Sequence, residues 1–451
     1  MDKIAASMNL LDTDITGPAA GPAAADDREM TALTLFEFWL HGHSPNLMRI
    51  FLEYWREHGR GTVRVIVLQR FLDAFPYVFA GFDNVPGSPV RWAAIDPEDE
   101  AVLDTAREYA DSRGTKDEKP FDPHCHPRAG FFWTLLDKYF ARYPTRHILL
   151  MNLEEYVLAL GAQRRAPTSL SGVIFLPGFH YLAEMKDASF RVRAFNAIQD
   201  RLVRHRLLSH PDLSTLFFLD EAVVEALKDV GTARVAYLPD PIRLPESSPT
   251  PQQVADIRRR FGVPPDRRLF LLFGDLRARK GLWKVFAALA HLTPEECAKA
   301  CIAVVGYAEP QVEQRIASEI AALAGKPMSV IRDARWVSDD DRDAWFDAAD
   351  VVLAPYVRHI GSSGILMLAA AHRRPAISQD FGLMGRLTRE YGLGITADTR
   401  DPADLARAMR DFLGAVPPPG WDADKAYAYA QSQSCERFGA VLGGALQPFA
   451  S

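Results

Sequence analysis

Short apolar runs alternate with helix-patterned segments along almost the whole chain, in two series separated by a proline-rich stretch. In the first series, Thr34–Leu40, Thr62–Leu68, His147–Met151, Gly172–Leu176, Thr215–Leu219 and Arg234–Leu238 are rich in β-branched or aromatic residues and flanked by turn formers, which predicts strands. Between them, Leu47–His58, Phe131–Tyr143, Glu154–Leu160, Ser189–Leu208 and Glu221–Val230 carry apolar residues at three- and four-residue spacing, the signature of helices. Such alternation predicts a parallel sheet covered by helices on both faces.

The stretch from Pro239 to Pro251 holds five prolines, poor material for a helix or a central strand, and reads as a linker over residues 241–251. The second series then predicts strands at Leu269–Phe273, Ala300–Val305, Ser329–Ile331, Val351–Ala354, Pro375–Ser378 and Gly394–Thr396, with helices that include Trp283–Leu292, Gln311–Ala324 and Asp404–Leu413. The expected architecture is α/β, with two Rossmann-like domains over residues 30–240 and 252–416. Past Pro417-Pro418-Pro419 a helical segment from about Asp422 to Gly439, within residues 417–451, is placed to cross back onto the first domain. Residues 1–29, with an Ala/Gly/Pro stretch from Gly17 to Ala25, read as a disordered tail.

A length of 451 residues fits two domains better than one core. No stretch approaches the ~20 apolar residues that span a bilayer, and a net charge of −6 gives no general pull toward nucleic acid. Four cysteines without disulfide or zinc spacing point to a reducing cytoplasm. His124-Cys125-His126 has no second ligand pair nearby, and Ser338 followed by Asp339, Asp340 and Asp341 is what a helix start selects, so no metal site is expected.

Ligands of open parallel sheets collect at the carboxyl ends of strands. In the second series these ends are distinctive. Leu269–Phe273 runs into Gly274-Asp275-Leu276-Arg277-Ala278-Arg279-Lys280-Gly281, the next strand into Gly306, and the third toward Trp336 and Val337. Gly361-Ser362-Ser363-Gly364 stands between an apolar strand and a helix. The start of a helix has amides without internal partners and the positive end of the dipole, and small side chains let a diphosphate approach them. Lys280, with Arg277 or Arg279, would neutralise that diphosphate. The plain alternative is a helix cap beside a solvated basic loop.

These segments resemble the GT-B glycosyltransferases, most closely family 4 and its relatives, over nearly all of the second half. Gly274–Gly281 is similar to the family's phosphate loop, Ser338–Pro355 to its helix followed by A-D-V and a proline, Arg374-Pro375-Ala376-Ile377 to K-P-V-I, and Gly392-Leu393-Gly394 to G-x-G. The resemblance implies a nucleotide-sugar donor on the second half, an acceptor on the first, transfer in the cleft between them, and no need for a metal or a separate cofactor. Two glutamates that flank the phosphate turn in the family fall on Ile360 and Leu368, and its frequent loop arginine falls on Asp275.

The first half resembles the family only in layout. His43 and Asn46 follow its first strand, and His180 and Tyr181 follow a later one. His180 and His43 are the catalytic candidates, as histidines titrate near neutral pH; Asn46 and Tyr181 are candidates for acceptor or sugar contact. Each can equally be a loop or packing residue. Asn152 is either an acceptor contact or a helix cap. The aromatic helix Phe131–Tyr143 has too weak a basic stripe for a membrane surface, so membrane association is expected only for a lipid acceptor. The reading is a metal-independent hexosyltransferase acting on a hydroxyl acceptor. Its rivals are a non-catalytic nucleotide-sugar sensor or scaffold, prompted by the missing acids, and a sugar-nucleotide epimerase.

Overall fold

The computed structural model describes residues 29–38, 44–103, 129–157, 160, 165–184, 189–414 and 418–449. They form two compact units, one reaching Pro241 and regaining the chain from Cys435, the other Ile242–Ser434. His43, all but Glu29 of the tail expected over residues 1–29, and His124-Cys125-His126 lie outside the described residues.

The first unit is built on seven parallel strands: β1 (Leu33–Glu37), β2 (Val63–Val67), β3 (Val90–Ala94), β4 (His147–Leu150), β5 (Ser169–Ile174), β6 (Leu213–Phe218) and β7 (Arg234–Tyr237). Their order is β3-β2-β1-β4-β5-β6-β7, so the winding reverses between β1 and β4. Every residue of β1 and β2 is buried, as the apolar runs require of strands covered on both faces. The helices are α1 (Ser44–His58), α2 (Gln69–Ala74), α3 (Ala129–Arg142), α4 (Phe190–Leu202) and α5 (Glu221–Leu227). The segment expected to be a helix over Glu154–Leu160 opens with a 3₁₀ turn at Leu153–Tyr156 and is helical at its other described residues, Val157 and Leu160.

The second unit repeats the plan. Its strands are β8 (Arg268–Phe273), β9 (Ala300–Val305), β10 (Ser329–Asp333), β11 (Val351–Ala354), β12 (Ala376–Gln379) and β13 (Gly394–Ala397), ordered β10-β9-β8-β11-β12-β13. Around them lie α6 (Pro251–Arg260), α7 (Leu282–Leu289), α8 (Pro294–Lys299), α9 (Pro310–Ala322), α10 (Asp339–Ala348), α11 (Gly364–Ala371), α12 (Gly382–Glu390), α13 (Pro402–Asp411) and α14 (Ala423–Ser432).

The carboxy-terminal helical segment is two helices. The Gln433 carbonyl accepts from the Ile242 N–H at 2.8 Å and Ser434 pairs with Ile242, which takes the chain out of helix after α14. The last helix, α15 (Cys435–Leu446), belongs to the first unit, where Phe438, Leu442 and Leu446 are buried in the core at four-residue spacing. It packs on α1 so closely that a Cβ at Gly439 would stand 2.4 Å from the Tyr54 ring.

Candidate functional site

The carboxyl edge of β8 is shaped by glycine. Gly274 (φ 111°) and Gly306 (φ 119°) hold backbone conformations closed to other residues, and a Cβ on Gly306 would fall 2.1 Å from the Gly274 carbonyl oxygen. Two strand ends thereby approach each other with no side chain between them. A Cβ on Gly274 would lie 2.4 Å from Lys280 Nζ and 3.7 Å from Ile365 Cδ1, which places the lysine and the first turn of α11 beside the same spot.

Lys280 is 8% exposed. Its ammonium donates to the Phe273 carbonyl at 3.2 Å. Burial, with Arg279 adding like-charge repulsion, pulls its pKa down to about 8. A buried ammonium held by a carbonyl is poorly compensated and favours any anion that reaches it.

The structure separates the two arginines. Arg277 is paired with Asp275 at 2.6 Å, both partly exposed, whereas the Arg279 guanidinium sits 5.8 Å from the centre of the Tyr356 ring. The Tyr356 hydroxyl is 3.1 Å from Ser363 Oγ. Ser363 therefore occupies the cap position of α11 without capping it by its side chain. The helix start leaves the amides of Gly364 and Ile365 without intrahelical acceptors. Ser362 Oγ is buried and has no hydrogen-bond partner among the described residues. Its own carbonyl lies 2.8 Å from His359 Nε2, and Gln379 fixes His359 by accepting from its N–H at 3.1 Å and donating to its carbonyl.

Gly274, Arg279, Lys280, Gly306, Ser363 and the Gly361–Gly364 turn are thus brought together. Trp336 and Val337 follow β10, with Trp336 half exposed. The positions of the missing acids are packed: Ile360 and Leu368 are 5% and 9% exposed. Tyr356, His359 and Gln379 went unrecognised in the sequence because their roles come from contacts across β11, β12 and α11. Asp339–Asp341 form the first turn of α10; Ser338 caps it, and Asp341 is paired with Arg260 and Arg335. No cluster of three or more metal-ligating side chains occurs among the described residues.

In the first unit the polar centre lies at the winding reversal, where ligands of such sheets bind. Glu37, 2% exposed at the end of β1, accepts from Ser44 Oγ at the start of α1, and from Asn152 Nδ2 after β4 at 2.6 Å. Asn152 also donates to Ser44 Oγ at 3.2 Å. It makes no side-chain cap bond to the turn that follows it, so it does not act as the helix cap that its position allowed. Glu37 itself was missed, since one acid between Phe36 and Phe38 looks like an outward position. His180 lies in the 3₁₀ turn Gly178–Tyr181 and is partly exposed. Tyr181, the other candidate for acceptor or sugar contact, is 4% exposed with its hydroxyl on Asp220. Asn46 is exposed and accepts from the Tyr77 hydroxyl at 2.7 Å.

Two parallel sheets wound alike give the chain the α/β fold seen in solved glycosyltransferases of the GT-B type. Residues 267–415, about a third of the chain, match the family described as glycosyl transferases group 1. Over 171 residues the chain is 29% identical to a D-inositol 3-phosphate glycosyltransferase of Nocardioides sp. (strain ATCC BAA-499 / JS614), covering 36% of this chain and 37% of that protein. The match thus spans just over a third of that relative's length. HepE of Anabaena, solved in complex with UDP, aligns with a TM-score of 0.60 over 92% of this chain and 99% of its own at 13% identity. A UDP-forming α,α-trehalose-phosphate synthase of Burkholderia xenovorans aligns with a TM-score of 0.60 over 94% of this chain and all of its own, also at 13% identity.

Proposed function

We propose that the second unit binds a nucleoside diphosphate hexose at the carboxyl edge of its sheet, and that the protein transfers the hexose to a hydroxyl acceptor without a metal ion. The observation that carries this reading is Lys280, an ammonium buried beside Gly274 and the first turn of α11 with only a carbonyl to bind. A diphosphate there would gain the Lys280 charge, the amides of Gly364 and Ile365, the unpartnered Ser362 hydroxyl and Arg279. Trp336 and Val337 are assigned to the nucleoside.

In the transfer, the bond from the anomeric carbon to the diphosphate oxygen breaks and its electron pair leaves with the diphosphate, where these cations and amides stabilise it. The acceptor oxygen forms the new bond and gives up its proton. His180 is the proposed proton acceptor, and Glu37 with Asn152 the proposed anchor for acceptor hydroxyls. The resemblance to structures solved with UDP makes UDP-glucose the first donor to try.

Calorimetric titration with UDP, GDP and ADP tests the donor site, and incubation with UDP-glucose and a panel of polyols and sugar phosphates tests transfer. Binding of at least one diphosphate and release of that diphosphate on turnover are expected; absence of binding removes the reading. A second reading, a nucleotide-sugar sensor, is favoured by the apolar packing at Ile360 and Leu368. Binding without turnover on any acceptor selects it.

A further inference from the structure

The helix α4 is amphipathic in the wrong sense for a helix that faces only water. Its buried positions include Asn196 and Gln199, and Gln199 Oε1 finds no hydrogen-bond partner among the described residues. Outward it presents Phe190 at 85% exposure and Ile198 at 56%, two of the six large apolar side chains exposed among the described residues. They are eight residues apart, about two helical turns, and so share one face. Among the described residues, Leu202 is the apolar residue of α4 that packs against the main core of the unit.

Charge gives this face its direction. Arg191, Arg193 and Arg201 are exposed beside the apolar pair and form no ion pair among the described residues. The single acid of α4, Asp200, is already taken by Arg204 at 2.7 Å. A local excess of arginine around exposed Phe and Ile stands out on a chain whose net charge is −6. Phenylalanine and isoleucine gain by leaving water, and guanidinium groups around them gain beside phosphate. A surface with apolar depth and a phosphate layer offers both at once.

We infer that the Phe190–Arg201 face of α4 docks the first unit onto the surface of an anionic lipid bilayer, with Phe190 and Ile198 entering the headgroup boundary and the three arginines meeting lipid phosphates. No described helix is long and apolar enough to cross a membrane, so the contact is with the surface alone. The inference does not depend on the sugar-transfer reading.

The test is co-sedimentation of the full chain with phosphatidylcholine vesicles and with vesicles that also contain phosphatidylglycerol. Partitioning should be at least about tenfold stronger onto the anionic vesicles and should weaken as salt is raised. Replacing all three arginines with serine should weaken it on the order of a hundredfold, at about fivefold per arginine. Phe190→Ser with Ile198→Ser should abolish it. All of these side chains are exposed, and a thermal melt checks that each variant is folded. No binding to anionic vesicles, or equal binding by parent and variants, overturns the proposal. A concentration-dependent dimer that the Phe190→Ser, Ile198→Ser variant dissolves, with no vesicle binding, overturns it in favour of a second copy as the occupant.

Discussion

At the carboxyl edge of the second unit a buried cation lies among glycines and helix amides, whereas at the winding reversal of the first unit a buried carboxylate is held by a hydroxyl and an amide. Six strands of each sheet follow the same order, so the contrast comes from the few residues that follow each strand. Lys280 would gain from an anion and Glu37 from a hydroxyl-bearing ligand. One frame used twice can therefore serve two unlike partners, and the division of labour is open to test residue by residue.

The largest effect on ligand binding is expected at Lys280. Replacement with Met, which keeps the stem and removes the charge, should weaken UDP binding by about ten- to a hundredfold, the worth of a charge-assisted hydrogen bond. It should leave thermal stability level or higher, because the parent buries an ammonium that has no ion-pair partner among the described residues. Titration calorimetry beside a thermal melt reads both, and unchanged affinity would remove the cation from the site. The same group sets a pH dependence. Free Lys280 loses its proton near pH 8, so affinity should fall as pH rises above about 8, with proton uptake on binding measurable in buffers of different ionisation enthalpy.

The largest effect on stability is a backbone effect that contrasts two glycines. Gly306→Ala should cost on the order of 3 kcal/mol, since its Cβ would collide with the Gly274 carbonyl as well as strain a positive φ. Gly81→Ala in the first unit has a positive φ but open space around it, so only about 1–2 kcal/mol of conformational cost is expected. Equal losses in denaturant midpoint would show that close approach at β8 and β9 is not what Gly306 serves.

Much of this frame was legible in the sequence. Runs such as Leu269–Phe273 and Ala300–Val305 are apolar throughout because both faces of the sheet are covered, and the glycine exits and the Gly-Ser-Ser-Gly turn announce themselves by composition. What stayed hidden depends on tertiary contact. β3 was missed because Arg91 interrupts a short strand, and the pairing of Ser363 with Tyr356 joins residues whose sequence gives no reason to meet. Arg373 takes a left-handed conformation (φ 53°) just past α11, where composition alone would place glycine. Glu37 is the main omission: alternation makes a strand acid look solvated, and only the partners from α1 and β4 reveal that it is buried.

Glu37→Gln keeps the shape of that side chain and removes its charge. On the proposed division of roles it should lower transfer about tenfold or more while UDP affinity stays level, because the change lies in the other unit. Glu37→Ala should in addition cost about 1–3 kcal/mol, by leaving the Ser44 and Asn152 donors without their acceptor. Loss of UDP affinity in Glu37→Gln would contradict the separation.

The smallest effect distinguishes two buried histidines. In the first unit His147 lies 2.7 and 2.9 Å from the Ser169 and Ser171 hydroxyls and stacks on Phe449, and burial drives its pKa down to about 3. It is neutral in the folded protein above that value, so its contribution rises with pH up to the ordinary imidazole pKa near 6.5 and is flat beyond. In the second unit, burial of His372 opposes its charge, but Asp343 at 3.5 Å and Asp347 at 2.8 Å outweigh it and hold the pKa above the ordinary value. That contribution is complete below the unfolded pKa and is lost as pH rises through the folded one. From neutral to mildly alkaline pH, therefore, His372→Gln should flatten a decline of about 2–4 °C in melting temperature, while His147→Gln leaves its slope alone. Identical slopes in parent and His372→Gln would mean that the Asp343–His372–Asp347 cluster carries no net charge interaction in the folded protein.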